Sequence, residues 1–167
     1  MMQESLLSIN EFVTLMETRL VLRQSFEKCI KDMRRVSRFE YSYLIKEAEK
    51  DTRTTNIFLI YTATECVFSA RLLCGDRCEI NMVYTNPLYR GQGYCSNSLR
   101  KIVAMVVNSD VFLHVKKSNG AAIHCYEKAG FVKTKEMGVF WEMVIRKPRK
   151  SRTQKIRKTR KIHKMKS

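Results

Sequence analysis

The amino-acid sequence predicts a mixed α/β (α+β) domain, a mostly antiparallel sheet of six or seven strands flanked by helices. Three observations carry that expectation. Apolar residues before Thr55 recur at helical spacing, and from Thr55 onward the spacing shortens to that of strands. Strand and helix signals then alternate, with a glycine-rich turn where the third strand meets the next helix. The order ααβββαβαββ joins consecutive strands to crossovers, which calls for a mixed sheet covered by helices.

Leu22, Phe26, Ile30 and Met33 recur among charges from Leu20 to Val36, the pattern of an amphipathic helix, and Ser37 to Lys50 reads as a second. Ahead of them, Phe12 to Met16 reads as a short leading strand or Leu6 to Leu20 as a helix, and the pattern leaves both open. Ile57 to Tyr61 and Cys66 to Leu72 are β-branched and aromatic runs around a short polar turn, hence a hairpin. A third strand, Cys78 to Tyr84, follows the Gly75-Asp76 turn and stops before Asn86-Pro87, since proline cannot continue a ladder.

Arg90-Gly91-Gln92-Gly93 leads into a helix over Ser96 to Val107, with Leu99, Ile102, Val103 and Val106 on one face. Val111 to Val115 is a short apolar strand, and Asn119 to Ala129 a helix that Gly130 ends. Strands Phe131 to Glu136 and Val139 to Ile145 close the domain.

The chain's 167 residues suit one domain, residues 1–145, and a basic tail, residues 146–167. Its longest apolar run, Ile102 to Val107, is far short of the ~18 residues of a membrane span. Met1 to Ser5 lacks the basic and apolar stretches of a secretory signal, so an intracellular place, cytoplasmic or nuclear, is expected. The six cysteines are too few and scattered for a disulfide scaffold and are expected as thiols, mostly in the core. Cys74 and Cys78 invite a zinc reading, but no second pair stands at ligand spacing, so no metal is expected.

A strand feeding a glycine turn at a helix start aims backbone N–H groups and the positive end of the helix dipole at one place, a seat for phosphate. Gly91 and Gly93 begin a dinucleotide-type GxG, but Ser96 holds the third glycine's place and the element order lacks the parallel βαβ unit. No GxxxxGK[ST] sequence is present, which argues against a P-loop nucleotidase.

Tyr84-Thr85-Asn86-Pro87-Leu88-Tyr89-Arg90-Gly91-Gln92-Gly93-Tyr94-Cys95 resembles motif A of the GNAT acetyltransferases, [Q/R]-x-x-G-x-[G/A]. Arg90 and Gly93 match, and Cys95 departs at the last position. Asn119-Gly120-Ala121-Ala122-Ile123-His124-Cys125-Tyr126-Glu127-Lys128-Ala129-Gly130-Phe131 resembles motif B of the same family, in the family's order and spacing. The two motifs and the strand between them cover roughly Glu79 to Phe131; residues 1–50 are similar only loosely.

The resemblance implies the GNAT fold, with a splayed parallel strand pair forming a cleft for acetyl-CoA. It assigns the pyrophosphate to the amides of Arg90, Gly91, Gln92, Gly93, Tyr94 and Cys95. It gives backbone contacts with the pantetheine arm and thioester carbonyl to Met82, Val83 and Tyr84. Asn119 would cap its helix, contact the cofactor or product, or do both. Tyr126 would be the general acid, since a phenol of ordinary pKa ~10 can hand a proton to the departing thiolate; the plainer reading is a core aromatic that anchors its helix.

Proton removal is the other need, because a lysine amine of pKa ~10.4 is neutral about once in ~2,500 at pH 7. Glu79, eleven residues before Arg90, stands in the register of the catalytic glutamate of the histone-acetylating branch. A strand carboxylate paired with a nearby Arg or Lys is an equal alternative.

Residues 146–167 hold 12 of the 32 Lys and Arg and none of the 16 acidic residues, leaving 20 basic against 16 acidic side chains in residues 1–145. Such a tail, without Phe, Trp or Tyr, is expected to be disordered alone and to bind nucleic acid or another polyanion through phosphate contacts without base stacking. The sequence therefore predicts an N-acetyltransferase in which a primary amine, of a protein lysine or N-terminus, attacks acetyl-CoA directly. Two alternatives stand beside it: an inactive GNAT-like nucleic-acid-binding protein acting through its tail, and an acetyltransferase for a small polyamine or aminoglycoside.

Overall fold

Ser8-Ile9-Asn10-Glu11 spells a capping box, and there the chain turns from strand to helix in the computed structural model, which describes residues 1–34, 46, 50 and 52–148. Strand β1 spans Gln3–Ser8 and helix α1 Ile9–Thr18. The Ser8 hydroxyl accepts from the Glu11 N–H at 3.3 Å, while the Glu11 carboxylate accepts from the Ser8 hydroxyl and N–H at 2.7 and 2.8 Å. Those bonds, the hydroxyl's first, hold the Glu11 carboxyl below the usual range. Of the two readings left open, a strand at Phe12 to Met16 and a helix over Leu6 to Leu20, the helix is found at these residues, and the leading strand lies ahead of it at Gln3–Ser8. Phe12 and Met16, one helical turn apart, are instead fully buried on the inner face of α1.

Helix α2 spans Leu20–Arg34 and buries Leu22 and Phe26; the Phe26 ring meets Phe12 edge-on with centroids 5.1 Å apart. The helix expected over Ser37 to Lys50 lies outside the described residues except at Lys46 and Lys50, both helical.

Three strands follow, β2 (Thr54–Tyr61), β3 (Cys66–Cys74) and β4 (Cys78–Thr85), and then helix α3 (Tyr94–Met105), strand β5 (Val111–Lys116), helix α4 (Gly120–Ala129) and strands β6 (Val132–Met137) and β7 (Phe140–Ile145). They form a seven-stranded sheet in the order β1-β2-β3-β4-β5-β7-β6. Every neighbouring pair is antiparallel except β4 and β5.

The sheet carries a separate apolar cluster on each face. On one, Phe58, Ile60, Leu72, Ile80, Val111, Leu113 and Val115 pack against Leu99 and Ile102 of α3 and Tyr126 of α4. On the other, Ile57, Leu59, Tyr61 and Tyr84 pack against Phe12, Met16, Leu22 and Phe26 of α1 and α2. Each fully buried Phe, Leu or Ile contributes roughly 1.5–3 kcal/mol, so the strands are anchored from both sides.

The cysteines depart from expectation. Cys74 is disulfide-bonded to Cys78 across the β3–β4 turn, and Cys95 of α3 to Cys125 of α4; Cys66 is fully buried. Sequence spacing hid the second pair because the crossover through β5 brings residues 30 apart in sequence side by side, with Cα atoms at 6.2 Å. The start of the basic segment packs on the domain: Lys147 N–H donates to Asp110 Oδ1 at 2.9 Å and its Nζ to the Val103 carbonyl at 2.7 Å. Residues 149–167, most of the expected tail, lie outside the described residues.

Candidate active site

The site begins with a fault in β4. Met82 is a non-glycine residue at φ +51°, and opposite it the β3–β4 register shifts between Ser69 and Arg71. This bulge inserts a residue, so Ile80 and Val83 both face the α3/α4 cluster while Met82 and Tyr84 face the α1/α2 cluster. Left-handed backbone at a long side chain costs about 1–2 kcal/mol, supplied by packing on both sheet faces.

The parallel pairing of β4 with β5 consists of two rungs, Cys78 with Val111 and Glu79 with Phe112. Beyond them the strands part. Met82 to Tyr84 thus form no rung with β5, and these are the residues whose backbone groups were expected to meet a pantetheine arm.

The parting strands open onto a cavity of about 600 Å³ walled by β4, the glycine loop and the first turns of α3 and α4. Gly91 and Gly93 take φ of +76° and +83°, which lets the loop swing its amides toward the start of α3. Gly93 is the N-cap of α3 and makes no side-chain cap, so the first-turn N–H groups and the positive helix end face the cavity, a receptive place for phosphate. Across it, Asn119 caps α4 by accepting from the Ala122 N–H at 3.1 Å, and Tyr126 lines the wall. Burial alone pushes the Tyr126 phenol up to about 12. Its ring also meets Phe131 edge-on at 6.3 Å, a contact that fits the plainer reading of a helix-anchoring aromatic.

Of the residues singled out from sequence, Val83, Arg90, Gly91, Gly93, Tyr94, Cys95, Asn119 and Tyr126 line this cavity together. Gln92 and the side chains of Met82 and Tyr84 do not: Gln92 Nε2 donates back to the Leu88 carbonyl at 3.2 Å, and Met82 and Tyr84 pack toward α1 and α2. Cys95 is bridged rather than free. Sequence reasoning missed Tyr89 and Lys128. Tyr89 sits inside motif A, meets Tyr94 edge-on at 5.9 Å and donates to Glu65 Oε2 at 2.8 Å, a bond that raises its phenol pKa. Lys128 brings a cation to the wall from within motif B.

Glu79 lies elsewhere. It alternates with Cys78 and Ile80, which face Tyr126's cluster, so its carboxylate is on the opposite face of the sheet. There it accepts from Arg53 Nη1 at 2.9 Å, the ion-paired strand carboxylate weighed as the alternative reading. Tyr126 and Glu79 thus flank the β4–β5 seam from its two sides.

No group of His, Cys, Asp and Glu suited to a metal ion occurs among the described residues, and no helix among them is long and apolar enough to cross a membrane. A model of the acetyltransferase (GNAT) family matches residues 25–131. Among solved structures, the Campylobacter jejuni N-acetyltransferase PseH in complex with acetyl coenzyme A is similar with a TM-score of 0.56 and 17% identity, over 89% of this chain and 100% of that one. The spermidine N-acetyltransferase of Vibrio cholerae in complex with CoA and spermine matches at 0.56 and 17%, over 86% and 94%. An N-acetyltransferase of Thermoplasma acidophilum in complex with coenzyme A matches at 0.56 and 15%, over 88% and 99%. At such identities the likeness concerns the fold. No curated protein matches the sequence significantly.

Proposed function

The chain belongs to the acetyltransferase (GNAT) family, and we propose that it transfers the acetyl group of acetyl-CoA to a primary amine, of a protein lysine or N-terminus, by direct attack. The observation that carries this reading is the junction at Gly93, where a left-handed glycine loop opens an uncapped helix start onto the cavity that Tyr126 lines. Of the loop expected to hold the pyrophosphate, Arg90 to Cys95, the Arg90 N–H is given to the Pro87 carbonyl at 3.3 Å, so the amides of Gly91 to Cys95 hold it, and Met82 to Tyr84 hold the arm in the opened seam.

Tyr126 serves the leaving group. Complete transfer from a phenol near 12 to a thiolate of ordinary pKa ~8.5 is uphill by ~3.5 units, about 5 kcal/mol. Its part is therefore a hydrogen bond to the sulfur as charge develops, with the proton following as the C–S bond completes its break. Glu79 belongs to the proton-accepting side, on the face from which the amine approaches.

A second reading, a small polyamine acceptor, draws support from the likeness to the Vibrio cholerae spermidine enzyme. The basic segment 146–167 adds salt-sensitive attraction for polyanions in either case. The test is release of CoA thiol from acetyl-CoA with three acceptors: a lysine peptide blocked at its N-terminus, a lysine-free peptide with a free N-terminus, and spermidine. Turnover with either peptide above spermidine supports the first reading; turnover with spermidine alone supports the second; none with any of the three, despite bound acetyl-CoA, contradicts both.

A further inference from the structure

Resting on that acetyl-transfer reading, we infer that His114 is the residue that takes the proton from the acceptor ammonium, within a Glu79–His114–Glu142 row on the sheet face opposite Tyr126. The register places it. The last parallel rung pairs Glu79 with Phe112, so continuing it by two residues would set His114 of β5 opposite Asn81 of β4. No such rung forms, and Asn81 and His114 are the first residues on this face to border the opening between the strands.

Their side follows from alternation. Val111, Leu113 and Val115 pack in Tyr126's cluster, so Phe112 and His114 point the other way. The rings of Phe112 and His114 meet edge-on at 5.5 Å. A cofactor entering from the α3/α4 side fills that side of the seam, and the amine's approach is left to the His114 side.

The surroundings suit a proton acceptor. His114 Nδ1 lies 3.9 Å from Glu79 Oε1 and Nε2 lies 3.9 Å from Glu142 Oε2, beyond hydrogen-bond length, so neither carboxylate ties up a ring nitrogen. Both are close enough to stabilise an imidazolium once it forms. Four cations share this face: Arg53, which binds Glu79, Arg77, 3.5 Å from Glu142 Oε2 with its guanidinium 4.1 Å over the Phe112 ring, buried Arg71 of β3 across from Asn81, and Lys135 of β6 across from Glu142. Glu79 is hydrogen-bonded to Arg53 and Glu142 lies beside Arg77, so both carboxylates have a cation nearer than the imidazole. The side chain is 34% exposed, open to an arriving amine and to solvent. Asn81 Oδ1, buried and without a hydrogen-bond partner among the described residues, offers the amine N–H groups an acceptor at the same mouth.

The steps balance. His114 takes one proton from the ammonium, and the freed lone pair attacks the thioester carbonyl carbon. As the C–N bond forms and the C–S bond breaks, the Tyr126 proton passes to the sulfur and the second amine proton returns the phenol to its protonated state. The imidazolium then gives its proton to water.

The experiment measures kcat, KM and their pH profiles for the wild type, His114→Gln and Glu79→Gln, with acetyl-CoA affinity and thermal unfolding measured alongside and imidazole added to His114→Ala. The expected result is a fall in kcat of about 10²-fold or more for His114→Gln, loss of the acidic limb of its profile, unchanged acetyl-CoA affinity and unfolding, and partial recovery of His114→Ala with imidazole. Glu79→Gln should keep that limb. A His114→Gln profile like the wild type's overturns the inference, as does loss of the limb in Glu79→Gln alone, which would make Glu79 the base. A wild type that binds acetyl-CoA but acetylates no amine overturns the parent reading and this one with it.

Discussion

Cys95, in the first turn of α3, is disulfide-bonded to Cys125, the residue before Tyr126 in α4, and the bond ties together the two helices that wall the cavity. It closes a loop of 30 residues, and in the chain-entropy account such a cross-link is worth roughly 3–4 kcal/mol. In a Cys74→Ser/Cys78→Ser background, reductant should lower the denaturation free energy by about that amount, and a further Cys125→Ser change should remove the response. Unfolding indifferent to reductant would contradict the bridge.

Tyr126→Phe removes a hydroxyl from the cavity and keeps the ring packed on Phe131. The expected outcome is a drop in kcat of about 10²-fold with acetyl-CoA affinity changed less than about threefold. A parallel loss of affinity would make the residue a binding group instead.

The same phenol gives a signed pH effect. Its pKa is pushed up to about 12 by burial, against about 10 for an ordinary phenol. Below pH 10 both states are protonated and nothing is lost. Between about 10 and 12 the unfolded chain ionises while the folded one does not, so stability falls by up to ~3 kcal/mol from this group. Measured as the difference from Tyr126→Phe, the alkaline loss should appear in that window; a zero difference would refute it.

Ser8→Ala breaks the capping box that starts α1. Urea denaturation should show a loss of about 1 kcal/mol, with Glu11→Gln costing less because the amide still reaches the Ser8 N–H.

Much of this was legible in the sequence because its signals were local. The hairpin, the glycine loop, the helix that Gly130 stops and both motifs appear where their residues predicted. Between Leu6 and Leu20 strand and helix both stayed open because Phe12 and Met16 fit either period over so short a stretch, whereas the capping box at Ser8 and Glu11 marks the boundary. Cys95 with Cys125, and His114 between Glu79 and Glu142, were invisible because each rests on the crossover that lays β5 beside β4 and β7. Periodicity tells which face a residue takes, not which strand lies next to it. The β4 bulge at Met82 left no sequence mark, since a glycine would ordinarily be expected at that φ.

The central claim is a cofactor site at Gly93, and calorimetric titration of acetyl-CoA into wild type, Gly93→Asp and Gly93→Asn tests it most directly. Both variants add the same Cβ at φ +83°, where it would meet Asn97 Nδ2 at 3.3 Å, so they share the backbone strain and differ in charge. The account predicts micromolar binding by the wild type, modest weakening in Gly93→Asn and loss of at least tenfold more in Gly93→Asp, whose carboxylate opposes the pyrophosphate. No binding by the wild type at millimolar acetyl-CoA, or equal affinities in the two variants, would contradict it.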